Sequence, residues 1–334
     1  MQFHEKRRQQ FLNESYYNFF TNFIEKTILH WRDHIPANAG SEVFGRALAS
    51  IDVANQTFDL FILKYTGGEP IDTLRDDLTK VIETFELNTK YEREYSNDPN
   101  FPPLRFAEID DYERAMQLIG LCYLLHRRDL LPRLAAMLDG AFAGKDTLYE
   151  DFFAYELKDR YEVDEWYHDK PYRDLINSFY RNTPEESIVD IDRYLKAWYQ
   201  SMKKAPWHDS HLDTSEAGGA YSGYWAIEAA AAVYLLDLDD RSFRDHIVYP
   251  KDLVDYARKL DKRLAPASSV PEELRVEGGK PCPQAGYWFT PAIPDSLRYF
   301  EQGDIMPVSA DSHYGATIWQ WSTEQLPPLK PTVE

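Results

Sequence analysis

Apolar side chains recur at three- to four-residue intervals in the first part of the chain, the spacing of one face of an α-helix. Breaks in the pattern separate three such stripes. The second begins after Ser41, a residue type favoured as a helix N-cap, and stops at Gly67 and Gly68. The pattern predicts three helices, whose stripes contain Leu12, Tyr16, Phe19, Phe20, Phe23, Thr27 and Trp31, then Val43, Ala47, Ile51, Ala54, Phe58, Phe61 and Tyr65, then Leu74, Leu78, Val81, Ile82, Phe85 and Leu87.

The helical pattern resumes after the segment SNDPNFPPL, whose prolines interrupt it. Residues 111–142 have the pattern of a helical hairpin. A later helix is predicted after Thr183, an N-cap residue followed by Pro184 at the first helical position. An apolar run over residues 224–236 and a helix over residues 251–264 follow. These elements predict an all-α protein, a multi-helix bundle of antiparallel helical hairpins.

The character of the chain changes after about residue 265, where prolines, glycines and aromatic residues replace the helical pattern. We expect an ordered but irregular segment, in which one short hairpin could form. Its aromatic side chains need a surface to cover, so we expect it to pack on the helical body. The predicted organisation is a helical module over residues 1–100, a helical core module over residues 104–264 and an irregular segment over residues 265–334.

Composition and charge restrict the class of partner. The chain of 334 residues has 56 acidic and 37 basic side chains, and its formal net charge is −19. This charge repels the phosphates of nucleic acids and attracts a basic partner. Residues 205–256 contain ten acids and three bases, and residues 136–170 contain ten acids and four bases. The concentration indicates an acidic face for a basic protein, although a solvated face would have the same composition.

The sequence contains neither the pattern of a signal peptide nor that of a membrane span. Its N-terminal residues lack an apolar stretch and a cleavage site, and the apolar run at residues 224–236 is too short to cross a bilayer. We therefore expect a cytoplasmic protein that does not contact a membrane. The two cysteines, Cys122 and Cys282, do not have the spacing of metal ligands, and no cofactor is expected.

One segment, WHDSHLD, contains the residue types of a metal site. Two histidines three positions apart, with carboxylates beside them, could bind zinc or iron. The same composition is typical of a polar loop between helices, and no upstream histidine completes a phosphohydrolase set of the His-Asp type. The alternative function is therefore an all-α, metal-dependent hydrolase, for which the candidate residues are His208, Asp209, His211, Asp213, Asp245 and His246.

Two acidic features of the apolar run need an explanation. Glu228 lies inside the run, and a buried carboxylate must be paired, hydrogen-bonded or protonated. We predict structural pairing with an arginine or a tyrosine hydroxyl, and the alternative is a functional carboxylate. Asp239 and Asp240 follow the run, where the helix dipole disfavours anions. Either Arg241 and Arg244 pair with them, or they face a basic partner.

The stretch YSGYWAIEAAAAVYLLDLDDRSFRDHIVYPKDLVDYAR resembles a signature of the PoNi-type immunity proteins. The resemblance extends to YLKAWYQSMKKAPWHDSH and to the hairpin at residues 111–142, and more weakly to GRALASIDVANQTFDLFILKYTGGEPIDTLRDDL. The segments CPQAGYWFTPA, RYFEQGDIMP and YGATIWQW are similar to a terminal motif of several immunity proteins from secreted-toxin loci. The resemblance therefore covers most of the chain.

This resemblance implies an all-α, non-enzymatic, cytoplasmic inhibitor. The PoNi-type proteins protect bacteria from PoNe-type DNase toxins of polymorphic and contact-dependent secretion systems, including type VI secretion. We accordingly expect the protein to bind a cognate basic toxin encoded beside it, and to bind no nucleic acid. An acidic helical scaffold without a toxin is a further alternative. The candidate toxin-binding residues are Asp237, Asp239, Asp240, Asp245, Asp209, Asp213 and Glu216.

Overall fold

A computed structural model describes residues 2–215, 219–264, 275–290, 292–293, 296–309, 317–322 and 325. These residues form eleven α-helices and four short β-strands, so the prediction of a mostly helical bundle is confirmed. The helices are α1 (Phe3–Lys6), α2 (Glu14–Asp33), α3 (Glu42–Thr66), α4 (Ile71–Ser96), α5 (Ile109–Leu124), α6 (Leu131–Phe142), α7 (Thr147–Ala154), α8 (Tyr172–Ser178), α9 (Pro184–Ser201), α10 (Ile227–Leu235) and α11 (Lys251–Leu264).

The helix boundaries follow from local hydrogen bonding. The side chain of Ser41 accepts a hydrogen bond from the backbone N–H of Phe44, which confirms Ser41 as the N-cap of α3. Helix α3 ends at Gly67, and Gly68 then adopts a φ of +92°, a left-handed conformation that favours glycine. Thr183 caps α9 in the same way and Pro184 is its first residue, as predicted.

The core of the helical unit is continuous from α2 to α11. Helix α3 packs between α2 and α4, α5 packs against α10, and α8 packs against α9. Helix α10 is buried on every side, with only Leu235 partly exposed. The apolar run at residues 224–236 is therefore a central core helix with its flanking turns, because a helix that is apolar all round is stable only when surrounded by protein.

The C-terminal part of the chain contains a small antiparallel sheet in addition to irregular segments. Its four strands are ordered β1–β4–β2–β3, and alternate side chains enter a small core of their own. Trp288 of β2 is opposite Trp321 of β4, and their rings meet edge to face at 5.2 Å. The strands are β1 (Arg275–Glu277), β2 (Gly286–Phe289), β3 (Arg298–Phe300) and β4 (Ile318–Trp321).

The chain divides into two compact units, residues 1–260 and residues 261–334. The finer division of the helical unit near residue 100, and the packing of residues 265–334 on the helices, stay predictions. Within the described part of the chain, no helix is long and apolar enough to cross a membrane.

Candidate partner-binding surface

The loop that follows α10 contains four of the candidate toxin-binding residues. Asp237 is exposed and has a φ of +49°. The carboxylate of Asp239 is exposed but pairs with Arg241, whose hydrogen bonds lower the pKa of Asp239 to about 2. Asp245 is exposed as well, and Lys251 donates to it from 2.6 Å. The loop thus presents carboxylates to solvent, but basic neighbours neutralise two of the exposed ones.

The fourth acid of this loop, Asp240, is only 3% exposed. Its carboxylate accepts hydrogen bonds from Arg244 at 2.8 Å and from the Tyr249 hydroxyl at 3.1 Å, and Arg258 lies 3.6 Å away. Asp240 is therefore an internal bracing group and not a surface contact, which corrects its place among the toxin-binding candidates. Pairing with arginines, the first of the two explanations for Asp239 and Asp240, accounts for both residues.

The segment WHDSHLD folds into an aromatic and hydrogen-bonded cluster. The His211 Nδ1 atom lies 2.9 Å from the Tyr224 hydroxyl, and the His208 ring stacks on Tyr199 at 4.3 Å. The Tyr199 hydroxyl also donates to Asp209 at 2.6 Å. Within the described ranges, no group of three or more His, Cys, Asp or Glu side chains is placed to hold a metal ion. In this cluster His208 stacks on an aromatic ring and His211 is hydrogen-bonded.

The structure describes two of the three candidate acids in and just after this segment. Asp209 and Asp213 are exposed, so both are available to a partner. Asp213 accepts a hydrogen bond from the Ser215 hydroxyl at 2.8 Å. Glu216 lies outside the described residues. The segment between α9 and α10 therefore contributes two accessible carboxylates.

Glu228 is fully buried in the centre of the helical unit. Its Oε1 atom accepts hydrogen bonds from the Tyr194 hydroxyl at 2.5 Å and the Trp198 indole N–H at 2.9 Å, so the predicted pairing with a tyrosine hydroxyl is confirmed. Burial raises the pKa of Glu228 from 4.5 to about 7, because the charged form is poorly solvated there. A structural role for Glu228 stays a prediction, which these contacts support.

A second buried carboxylate, Glu113 of α5, was missed from the sequence. It accepts hydrogen bonds from Gln117 and from the Trp207 indole, both at 2.8 Å. Burial raises the pKa of Glu113 well above its ordinary value, and the nearby charge of Glu228 raises it further. Glu113 stands among charged residues at the start of α5, so the sequence did not mark it as buried, and only the packing of the helices identifies it.

A further group of exposed acidic residues lies between the end of α7 and the start of α8. Glu150, Asp151, residues 154–164 and Tyr180 line a cleft of about 890 Å³, which we call the tyrosine cleft. Asp151 faces it and accepts hydrogen bonds from the Tyr180 hydroxyl at 2.7 and 2.8 Å. Burial raises the pKa of Asp151 to about 6. The acidic run in the sequence pointed to this region, but not to individual residues.

One wall of the tyrosine cleft is fixed by a buried ion-pair network. The guanidinium of Arg160 donates to Glu150 at 2.8 Å and to Asp139 at 2.9 Å. The side chain of Glu150 is 1% exposed, and that of Arg160 is 9% exposed. The Tyr149 hydroxyl also donates to Asp139, at 2.7 Å. This network ties the loop to α6 and α7 and sets the shape of the cleft.

The fold is that of a mostly helical protein, and two family models identify the class. Residues 8–136 match the N-terminal region of the PoNe immunity proteins (PoNi), and residues 144–253 match their C-terminal region. The chain therefore belongs to the PoNe immunity protein family, which confirms the resemblance. The sheet unit lies beyond both matched ranges.

Among solved structures, the chain is similar to protein PA2201 from Pseudomonas aeruginosa, known from its crystal structure. The TM-score is 0.56 at 20% sequence identity, and the match covers 76% of this chain and 91% of that chain. At this identity the likeness shows a shared fold. A comparison with curated proteins finds no significant match.

Proposed function

We propose that this protein neutralises a cognate antibacterial nuclease toxin by binding it through an acidic surface in the cytoplasm. The observation that carries the proposal is the family membership, which spans both halves of the helical unit. Membership in an immunity family also favours a binding role without catalysis. The partner is the nuclease domain encoded beside this gene, and no cofactor takes part.

Electrostatics support this partner. A DNase must hold the phosphates of its substrate, so its active-site surface is cationic. A protein with a net charge of −19 attracts such a surface from a distance and speeds the encounter. The cytoplasm is where the DNA needs protection. Exposed carboxylates of the helical unit, including Asp209, Asp213 and Asp237, are available to the partner.

The test is co-expression followed by kinetic measurement. Cells that express the nuclease domain should grow only when this protein is co-expressed. The purified pair should associate on the order of ten times faster at low salt than at high salt, because ions screen the attraction. The association measurements at low and at high salt use a nuclease whose catalytic residues are disabled. A protein that neither binds the nuclease nor restores growth would refute the proposal.

A further inference from the structure

We propose that a basic, arginine- or lysine-bearing surface of the toxin docks in the tyrosine cleft, and that this cleft is the principal anchor of the complex. This inference rests on the proposed function and adds the place of binding. Three observations carry it: the exposed aromatic side chains, the carboxylates that have no internal partner, and the fixed wall of the cleft.

The first observation is a group of exposed tyrosines. Tyr155, Tyr161 and Tyr180 line the cleft and are 42%, 59% and 61% exposed. Tyrosine is enriched among the residues that dominate binding energy at protein interfaces, since it buries a large rigid ring and keeps a hydroxyl for hydrogen bonding. Three such rings around one concave surface form an anchor site, and their faces can also accept a cation.

The second observation is the state of the carboxylates. Asp159, Glu162 and Asp164 line the cleft, and none of them has an ion-pair partner among the residues that the structure describes. Glu162 and Asp164 line the same cleft as Tyr180. The lining also contains two cations, Lys158 and Arg160, of which Arg160 is paired within the wall, so acids outnumber bases beside the exposed aromatic rings.

The loop after α10 provides the contrast. Arg241 and Lys251 already neutralise Asp239 and Asp245. Of the three exposed acids of that loop, only Asp237 has no paired base among the described residues, so a partner would have to displace Arg241 or Lys251 to reach the other two. The tyrosine cleft offers unpaired carboxylates, so a basic partner gains more electrostatic energy there.

The third observation is that the cleft is pre-formed. Arg160 holds the loop against Glu150 and Asp139, and Phe152 and Phe153 of α7 are fully buried in the core beneath it. A fixed surface loses little conformational entropy on binding, so more of the contact energy appears as affinity. The mixture of rings and carboxylates suits a guanidinium or ammonium group, which stacks on tyrosine and pairs with carboxylate.

The negative charge of the tyrosine cleft also distinguishes between the molecules that could bind in it. A nucleic acid is repelled by the carboxylates of the cleft. A second copy of this chain would bring its own net charge of −19 toward the same negative surface. A cationic protein surface is the occupant that the geometry and the charge both favour.

The experiment measures association and dissociation between the full chain and the catalytically disabled nuclease domain encoded beside this gene. The double variant Tyr161→Ala/Tyr180→Ala should raise Kd at least about 30-fold, mainly through faster dissociation. The double variant Glu162→Lys/Asp164→Lys should slow association at low salt about tenfold. Both charge positions are exposed, so this second variant tests the cleft independently of the first.

Two controls match these changes elsewhere on the surface. Tyr95→Ala removes a tyrosine ring that is 49% exposed, and Asp237→Lys/Asp245→Lys makes the same charge change on the loop after α10. Both controls should stay within about twofold of the wild-type Kd, because peripheral contacts contribute little. The circular dichroism and urea midpoint of every variant are compared with those of the wild type.

The outcomes separate the two proposals. If the wild-type chain binds and protects but both cleft variants bind with unchanged rates, the docking site is wrong while the proposed function stands. The docking site is also wrong if the loop control weakens binding more than the cleft variants do. It is wrong as well if the wild-type chain alone forms dimers that the cleft variants dissociate. A wild-type chain that neither binds nor protects refutes both.

Discussion

Replacing Glu228 by glutamine should change how the stability of this protein depends on pH. The Glu228 side chain is fully buried, and its Oε1 atom already accepts from Tyr194 and Trp198. Glutamine keeps an oxygen in that place and removes the titration. Because burial raises the folded-state pKa to about 7 from 4.5, the folded protein retains a proton that the unfolded chain has lost.

The sign and size follow from this difference. Between the two pKa values the unfolded chain binds fewer protons than the folded one, so the free energy of unfolding falls as pH rises and levels off above about pH 7. For a pKa near 7, the fall between about pH 5.5 and about pH 8 is about 2 kcal/mol from this group. Glu228→Gln should remove that part of the pH dependence.

Urea denaturation of the wild type and of Glu228→Gln at both pH values measures the effect. About pH 5.5 keeps the protein above its isoelectric point of about 4.9. Glu185→Gln, at an exposed position in the first turn of α9, is the matched control and should leave the pH dependence unchanged. Parallel stability curves for the wild type and Glu228→Gln would show that Glu228 is ionised in the folded protein at both pH values.

Three further substitutions test the structure. Arg160→Ala leaves the buried Glu150 without its cation and should lower the free energy of unfolding by about 3 kcal/mol in urea denaturation; an unchanged midpoint would contradict the buried ion pair. Asp240→Asn weakens the hydrogen bonds that Arg244 and Tyr249 donate to this side chain, and should lower the free energy of unfolding by about 1 to 3 kcal/mol. Asp245→Asn, at the exposed end of the same loop, should leave the free energy of unfolding unchanged. Trp288→Ala leaves a cavity in the core of the sheet unit and should lower the stability of that unit by about 3 to 5 kcal/mol. The loss should be measured as faster proteolysis within its strands, and cleavage rates equal to those of the wild type would argue against that core.

Local patterns in the sequence predicted much of the fold, because each depends on neighbouring residues. The Ser41 cap, the Pro184 helix start and the burial of Glu228 are encoded within one or two helical turns. The strands were a different case. Strand β1 pairs with β4 across more than 40 residues, so no local signal in the sequence specified the sheet.

The family, the helical class and the overall acidity were determined by the sequence alone, since they depend on residue order and composition. Which carboxylates are open to a partner was decided only by the tertiary structure. Asp240 is buried because Arg244, Tyr249 and Arg258 converge on it, whereas Glu162 and Asp164 line the tyrosine cleft with no ion-pair partner among the described residues. Charge is a property of a residue, but its availability depends on which distant side chains the fold brings within hydrogen-bonding distance.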